Sequence, residues 1–341
     1  MAPMNDILKP ARSVAFIRVA AIKPLLEQFA SRQSKARELL HKHRILPSVL
    51  DDNYAVIPLH RFVAFFEDAA SSLDAPAFGA KLGATLTPGD IGPMGVLVSF
   101  SPTIRSAFEN LSKFVNSLQN STTSSVRQDG DILIWSYRIA DDSIWPRRHD
   151  AEYSLAASCQ LIRTNFKVNW QPMEVHFEHE APEQADAIRR IFKAPVLFKQ
   201  SSNRIIMNVE EADRVYRTEN KELTLILERH IGDLINETNV GNSITAKVKS
   251  LIELYIGVRP ITIGLIAEEL GLKPRTLQRR LEDEGTSIRI LTLACRQELA
   301  SRLLSTSAST MSDVAQALGY ADGAVFSRAF KGWAGHPPSK A

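Results

Sequence analysis

Apolar residues in the first two thirds of the chain follow two different periods, which predicts both strands and helices. Alternation over Ile132–Ile139 places Leu133 and Trp135 on one face and Ile134 and Ser136 on the other, as in a half-buried strand. The same pattern predicts strands over residues 174–180 and 204–209. Spacings of three or four predict helices over residues 12–44, 59–73, 101–118, 152–166 and 213–236. Strands mixed with helices indicate an α+β domain.

The last hundred residues have a helical pattern throughout, and one amphipathic unit occurs there twice. The two copies occupy residues 263–281 and 314–330. Each copy contains a short helix, a glycine and a second helix. Ala267 precedes Gly271 by four positions, and Ala315 precedes Gly319 by the same number. A small residue lets two helices approach closely, and glycine supplies the positive φ of a tight turn. The repeat therefore predicts two helix-turn-helix units.

A long amphipathic helix over residues 288–304 is predicted to join the two units. Its inner face consists of Leu291, Ala294, Cys295, Leu299 and Leu303. In a helix-turn-helix unit the second helix presents its outer face to the major groove of DNA. Two units in tandem on a connecting helix predict two successive contacts with one DNA face, about 34 Å apart.

Charge is distributed unevenly along the chain. The net charge is only +3 over 341 residues, a length that suits two or three domains. From Asn242 onward there are 13 basic and 9 acidic residues, so the positive surplus lies in the C-terminal third. That location is consistent with double-stranded DNA as a partner. Cys159 and Cys295 are far apart in sequence, and no secretory signal or long apolar stretch is visible. We therefore expect a cytoplasmic protein with no membrane partner.

Arg and Gln side chains are concentrated on the predicted recognition helices, and these side chains pair well with guanine and adenine edges. We predict base contacts for Arg275, Thr276, Gln278, Arg279 and Ser327. We predict phosphate or base contacts for Arg280, Arg328 and Lys331. Gly323 and Ala324 lie where a recognition helix begins, and their small side chains indicate that the second unit contributes mostly docking and shape readout.

Candidate chemistry in the first two thirds is weaker. His176 and His179 lie on a predicted strand with an odd spacing, which directs them to opposite faces and disfavours a metal site. His149 and Asp150 adjoin no nucleophile motif. We expect no catalytic residues, no metal and no cofactor. A weak effector-site hypothesis rests on aromatic and basic residues, which could equally be ordinary core and surface. These are Trp135, Tyr137, Trp145, Arg147 and Tyr153.

The C-terminal third resembles the AraC/XylS family of bacterial regulators. The motifs that carry this resemblance are Val314-Ala315-Gln316-Ala317-Leu318-Gly319-Tyr320, residues 326–335, and Pro337-Pro338-Ser339. A looser resemblance links the N-terminal part to the family subgroup that includes an ornithine-utilisation regulator. Its motifs include Phe78–Gly83, residues 89–95 and residues 192–196. The resemblance implies an effector-binding and dimerising domain followed by a DNA-binding domain.

These observations combine into one expectation. An α+β effector-binding and dimerisation domain (residues 1–236) precedes a linker (237–245) and an all-α domain (246–341) with two helix-turn-helix units joined by a long helix. The expected function is a sequence-specific transcription regulator, an activator controlled by an unknown small-molecule effector. Its partners are promoter DNA, RNA polymerase and a second copy of the chain. Two alternatives stay open, namely an orphan regulator controlled by a protein partner and an enzyme-like domain fused to a DNA-binding module.

The homodimer prediction depends on one helix. Leu223, Leu227, Ile231 and Leu234 form an apolar stripe along residues 213–236. An apolar stripe on a surface helix needs to be covered. A second copy of the chain or the helix's own domain could cover it, and the sequence leaves both possibilities open.

Overall fold

The computed structural model describes residues 15–45, 47–75, 77–183, 185–239, 244–257, 259–305, 311–334 and 336–338. It contains two compact units. One consists of Ala15–Asn236, and the other includes Glu237–Ala341. Each unit has its own hydrophobic core. The α+β architecture followed by an all-helical region confirms the expected fold class.

Helices make up most of the N-terminal unit. They are α1 (Lys23–Glu27), α2 (Gln33–Lys42), α3 (Leu59–Leu73), α4 (Phe78–Gly83), α5 (Gly92–Phe100), α6 (Ile104–Phe114), α7 (Arg148–Asn165), α8 (Ala185–Phe192), α9 (Val209–Ala212) and α10 (Lys221–Asn239). Short 3₁₀ turns occupy Val19–Ile22, Pro47–Val49, Pro88–Ile91 and Val115–Ser117.

Two sheets complete the N-terminal unit. Strands β1 (Phe16–Arg18) and β2 (Val56–Pro58) form an antiparallel pair. The larger sheet has the order β3-β4-β7-β5-β6. Its strands are β3 (Thr122–Asp129), β4 (Ile132–Ile139), β5 (Glu174–His176), β6 (Val196–Leu197) and β7 (Asn203–Asn208). Neighbouring strands are antiparallel except β5 and β6. Leu133 and Trp135 of β4 are buried, as the alternation predicts.

Helix α7 lies in the middle of the N-terminal core. Twelve of its residues are buried, and they cover every side of the helix. Helix α4 packs directly against its backbone. A Cβ atom on Gly79 would lie 2.3 Å from the carbonyl oxygen of His149, and one on Gly83 would lie 2.4 Å from that of Tyr153. Both distances are shorter than any real contact, so the two glycines allow an approach that no other residue permits.

Several predicted elements differ from the observed ones. The helix expected over residues 12–44 is wrong at its beginning, where Phe16–Arg18 forms a strand. Its three residues pair with Val56–Pro58, which the pattern did not identify. A three-residue strand is too short for alternation to show. The strand expected over residues 174–180 ends at His176. Strand β3 was missed because its apolar residues are few, and α5 because its apolar residues follow no single period. Helix α8 was missed although Ala185, Ile188 and Phe192 have helical spacing, because the helix is only eight residues long.

The end of the N-terminal unit also differs from expectation. The helix predicted to begin at residue 213 begins at Lys221. The predicted linker, residues 237–245, is helical at both ends, since α10 ends at Asn239 and the next helix begins at Ile244. The intervening residues 240–243 lie outside the described residues.

The C-terminal unit is all-helical in the part that is described. Its helices are α11 (Ile244–Tyr255), α12 (Ile263–Glu269), α13 (Pro274–Asp283), α14 (Ile288–Ser305), α15 (Met311–Ala317) and α16 (Gly323–Ala334). Two small hydrophobic cores lie along α14. Leu291 and Cys295 belong to the first core, Ala300 belongs to the second, and Leu299 packs against both. Helix α14 therefore connects the two halves, as predicted for residues 288–304.

Two further findings bear on the class of protein. Within the described ranges, no helix combines the length and hydropathy needed to cross a membrane. Cys159 and Cys295 are both buried free thiols.

Replacing Gly83 by alanine is expected to destabilise the N-terminal unit by about 1–3 kcal/mol, because the new methyl group would force α4 and α7 apart. Urea unfolding followed by tryptophan fluorescence measures this, since Trp135, Trp145 and Trp170 all lie in that unit. Gly232→Ala is the matched control. Gly232 is helical with open space around its Cα, so alanine there should stabilise by about 0.5–1 kcal/mol. Equal effects of the two variants would contradict the packing argument.

Candidate nucleic-acid interface

The first helix-turn-helix unit consists of α12 and α13. The hydroxyl of Thr262 caps α12 by accepting a hydrogen bond from the Leu265 N–H at 3.2 Å. Ala267 is fully buried, and Gly271 in the turn has φ = +63°. Helix α13 begins at Pro274, whose fixed φ suits a first helical position. The unit therefore has the close helix contact and left-handed turn that the repeat predicts.

The second unit repeats this construction with α15 and α16. Ala315 is buried, and Gly319 in the turn has φ = +74°. The side chain of Asp322 caps α16 by accepting the Val325 N–H at 2.8 Å. Phe326 and Phe330 are buried on the inner face of α16, with their ring centroids 5.7 Å apart. Burial of one face leaves the opposite face of α16 open to a partner.

Contacts at the second turn hold the two halves of the C-terminal unit together. The Arg296 Nε on α14 donates a hydrogen bond to the carbonyl of Leu318 at 3.2 Å. Its guanidinium also lies 4.9 Å from the ring centroid of Tyr320. Gly257, just after α11, approaches the same turn so closely that a Cβ atom would lie 2.3 Å from the carbonyl oxygen of Ala317. These contacts fix the second turn relative to α11 and α14.

The predicted base-contacting residues of α13 lie on its outer side. Leu277 and Leu281 point into the core, whereas Arg275, Gln278 and Arg279 are exposed. Thr276 and Arg280 are half-buried. The Gln278 amide donates a hydrogen bond to Glu282 Oε1 at 3.0 Å, one helical turn along. That carboxylate holds the amide in place on the exposed face.

The predicted contact residues of α16 also include both exposed and half-buried side chains. Arg328 and Lys331 are exposed, and they share one face of the helix with Ala324. Ser327 is half-buried beside that face. The structure therefore brings two basic side chains together on α16 and leaves a small residue where a longer side chain could reach a base edge.

Sequence reasoning missed a structural role at the end of α13. The carboxylate of Glu284 accepts the N–H groups of Ile244 and Thr245 at 2.9 Å each. Those two groups belong to the first turn of α11, where backbone donors have no partner within the helix. Glu284 therefore caps α11 and ties the end of α13 to the beginning of the all-helical region. An acidic run at residues 282–284 was the available signal.

Comparison with known proteins agrees with this geometry. A family model described as the arabinose-binding domain of AraC transcription regulators, N-terminal, matches residues 34–215. A helix-turn-helix domain model matches residues 266–341. The chain belongs to the AraC family of transcription regulators. Its matched domains and its relatives are DNA-binding regulators, not enzymes, so the enzyme-like alternative is wrong.

AraC-family relatives align along nearly the whole chain. VirS, a transcriptional regulator of Mycobacterium tuberculosis, is 24% identical over 301 residues, which are 88% of each chain. The ornithine utilization regulator of Pseudomonas aeruginosa is 24% identical over 327 residues, or 95% of each chain. The crystal structure of the regulator CdpR from P. aeruginosa is 21% identical and covers 94% of this chain and 97% of its own, with a TM-score of 0.45.

Four of the five predicted effector-site residues of this AraC-family chain are buried. Trp135 donates to the Ser112 hydroxyl at 3.2 Å, and its ring stacks on Tyr137 with centroids 6.1 Å apart. Arg147 donates to both oxygens of Glu178 at 2.7 and 3.0 Å. Tyr153 packs edge-on against a phenylalanine. These side chains are largely committed to partners within the domain.

Other polar and aromatic side chains of the N-terminal unit were also candidates for a functional site. The Tyr137 hydroxyl donates to Asp150 Oδ2 at 3.0 Å, and burial raises the pKa of Asp150 to about 7. Trp145, the fifth predicted effector residue, is 59% exposed and lies outside this buried group. His176 bonds Glu174 at 2.7 Å, and His179 bonds the Glu180 carbonyl at 2.8 Å. In the part of the chain that is described, no cluster of His, Cys, Asp and Glu has the composition of a metal site.

Arg279→Ala and Lys331→Ala separate base contacts from phosphate contacts. Arg279→Ala is expected to cost about 1–3 kcal/mol on the specific site and to relax preference at one base position. Lys331→Ala should weaken all sequences alike and lower the salt slope by about one unit. Binding titrations at several salt concentrations, on specific and random duplexes, measure both. Equal loss on the two duplexes for Arg279→Ala would assign that side chain to the backbone instead.

Proposed function

We propose that the chain is a sequence-specific transcription activator controlled by a small-molecule effector. The observation that carries the proposal is the combination of two DNA-binding units with an N-terminal domain that matches an arabinose-binding family model over residues 34–215. That domain is far larger than dimerisation requires. It also carries polar side chains into its core, as a ligand-binding domain does.

On DNA, α13 and α16 enter two successive major-groove segments of one face. Base contacts come from Arg275, Thr276, Gln278, Arg279 and Ser327. Phosphate or base contacts come from Arg280, Arg328 and Lys331. The exposure of four of the five basic side chains among them supports this assignment, and so does the anchoring of the second turn by Arg296. Because Gly323 and Ala324 begin α16, the second unit contributes docking and shape readout more than base reading.

The predicted dimer stripe on α10 needs a correction. Ile231 is fully buried and Leu234 is buried, while Leu227 packs against the core of the N-terminal unit. The domain itself therefore covers much of the stripe. Two other apolar side chains of the helix, Leu225 and Ile226, are 67% and 59% exposed. We place the homodimer contact on this pair. RNA polymerase is the further protein partner in this proposal. The protein acts in the cytoplasm, where the bacterial DNA lies.

Transcription from a bound promoter tests the proposed function. Genomic fragments retained by the full chain supply the site, and run-off transcription is then measured with RNA polymerase and the small-molecule fraction of host cell extract. We expect more transcript only when protein and extract are both present, with Arg279→Ala as the inactive control. Transcript that is independent of extract would refute effector control, and a decrease would identify a repressor.

Sedimentation of the full chain tests the dimer face. Leu225→Asp combined with Ile226→Asp should convert dimers to monomers, because two buried carboxylates facing each other across the symmetry axis repel. Val168→Asp is the matched control, since Val168 is 78% exposed elsewhere on the same unit. Dimers that persist in the double variant would exclude this face, and a monomeric wild-type protein would exclude the homodimer.

A further inference from the structure

Glu152 occupies an unusual position in the N-terminal core. Its side chain is fully buried, and it lies in the second turn of α7. Neither carboxylate oxygen has a hydrogen-bond partner among the described residues. A buried charge without hydrogen bonds destabilises a folded protein. Such a group is kept where something other than the fold requires it.

Three nitrogen atoms surround this carboxylate without reaching it. Arg148 Nε lies 3.5 Å from Oε1, His179 Nε2 lies 3.8 Å from Oε1, and His149 Nδ1 lies 3.6 Å from Oε2. All three separations are within ion-pair range, but all three exceed the usual length of a hydrogen bond. Arg148 directs its terminal nitrogen to His149 Nε2 instead, at 2.8 Å. Arg148 Nε and His179 Nε2 are themselves buried without a hydrogen-bond partner in the described part of the chain.

The protonation of His179 explains why it does not bond Glu152. Its Nδ1 lies 2.8 Å from the carbonyl oxygen of Glu180, and a carbonyl can only accept, so Nδ1 carries the proton. Burial lowers the pKa of His179, which favours the neutral ring. Nε2 then presents a lone pair toward Glu152. A carboxylate and an imidazole lone pair face each other, and both require a donor.

The buried carboxylate contrasts with its neighbour Glu178. Arg147 donates to both Glu178 oxygens at 2.7 and 3.0 Å, so that ion pair is complete within the protein. The two carboxylates belong to the same domain, and only that of Glu178 has hydrogen-bond partners among the described side chains. Glu178 therefore provides an internal reference for a structural carboxylate.

The surroundings of Glu152 suit a cation. Aromatic rings enclose the flanking histidines, with Phe66 and Phe78 around His149 and Phe177 and Phe198 around His179. Aromatic faces attract cations. Glu67 lies in the same cluster, where it accepts the backbone N–H of His149 at 2.8 Å. The cluster therefore contains two carboxylates, Glu152 and Glu67, and one guanidinium, that of Arg148. The cluster reaches toward the surface at Arg148, whose side chain is 33% exposed.

We propose that Glu152 and His179 form the effector site of this domain and that they bind a primary ammonium group of a small metabolite. An ammonium has three N–H donors, which match the two Glu152 oxygens and His179 Nε2. A nitrogen can lie about 2.9 Å from two acceptors that are 3.8 Å apart. The inference rests on the proposed effector control and specifies the chemistry of the ligand.

Thermal melting of the full chain without added amine gives the first test. Glu152→Gln should raise the melting temperature by about 2–4 °C, because it removes a buried charge that no hydrogen bond satisfies and supplies N–H donors to His179. Glu178→Gln should lower it, since it breaks a complete ion pair. If Glu152→Gln melts as low as Glu178→Gln, or does not fold, then Glu152 is a structural residue and the proposal is overturned.

Ligand-induced stabilisation gives the second test. Butylamine, 1,4-diaminobutane and L-lysine are titrated into the millimolar range against 1,4-butanediol, L-arabinose and sodium chloride of equal ionic strength. At least one amine should raise the melting temperature of the wild-type chain in a saturable way, and no amine should shift Glu152→Gln. A shift with arabinose or the diol but with no amine, or no shift with any probe, would overturn the ammonium assignment.

The transcription assay separates this proposal from the function on which it depends. If extract stimulates the wild-type chain and Glu152→Gln equally, effector control stands and the site is elsewhere. If extract stimulates neither protein while an amine still stabilises the wild type, the amine site stands without effector control. If extract stimulates transcription by the wild-type chain but not by Glu152→Gln, the result supports both effector control and the ammonium site.

Discussion

Helix α7 is buried along most of its length, and this constraint determines much of the N-terminal unit. The helix is covered by α3, α4, α5 and the large sheet, so each buried polar side chain that it carries must find a partner inside the domain. The close approach of α4, possible only with Gly79 and Gly83, sets the position of the α7 backbone. Asp150 meets this requirement with Tyr137, and the adjacent Arg147 meets it with Glu178.

Glu152 is the exception on this helix, because its carboxylate has no hydrogen-bond partner among the described residues. The arginine one turn before it bonds a histidine, and the histidine across from it points its lone pair inward. A fold that needed only stability would place an apolar residue there, since hydrophobic substitution of buried charges is often neutral or favourable. Function commonly accounts for such local violations of packing rules. The same helix thus carries one buried carboxylate with a hydrogen-bond partner, Asp150, and one without, Glu152.

The C-terminal unit uses small residues for a different purpose. Ala267 and Ala315 let each helix pair close, and the positive φ of Gly271 and Gly319 turns the chain between the helices. Helices α13 and α16 each bury one apolar face in the core, so their polar faces are exposed to solvent. Arg296 and Gly257 hold the second turn in place, so the separation of the recognition helices depends on packing far from their exposed surfaces.

Local periodicity was enough to predict the two helix-turn-helix units, the connecting helix and the strand Ile132–Ile139, and the turn glycines marked the two units. The exposed recognition-helix side chains follow from the same periodicity. The tertiary structure alone decided the β1–β2 pairing, the cap that Glu284 provides to α11 and the isolation of Glu152. Each of these depends on residues distant in sequence: Glu152 lies 27 positions from His179, and no local pattern records which distant atoms meet or fail to meet.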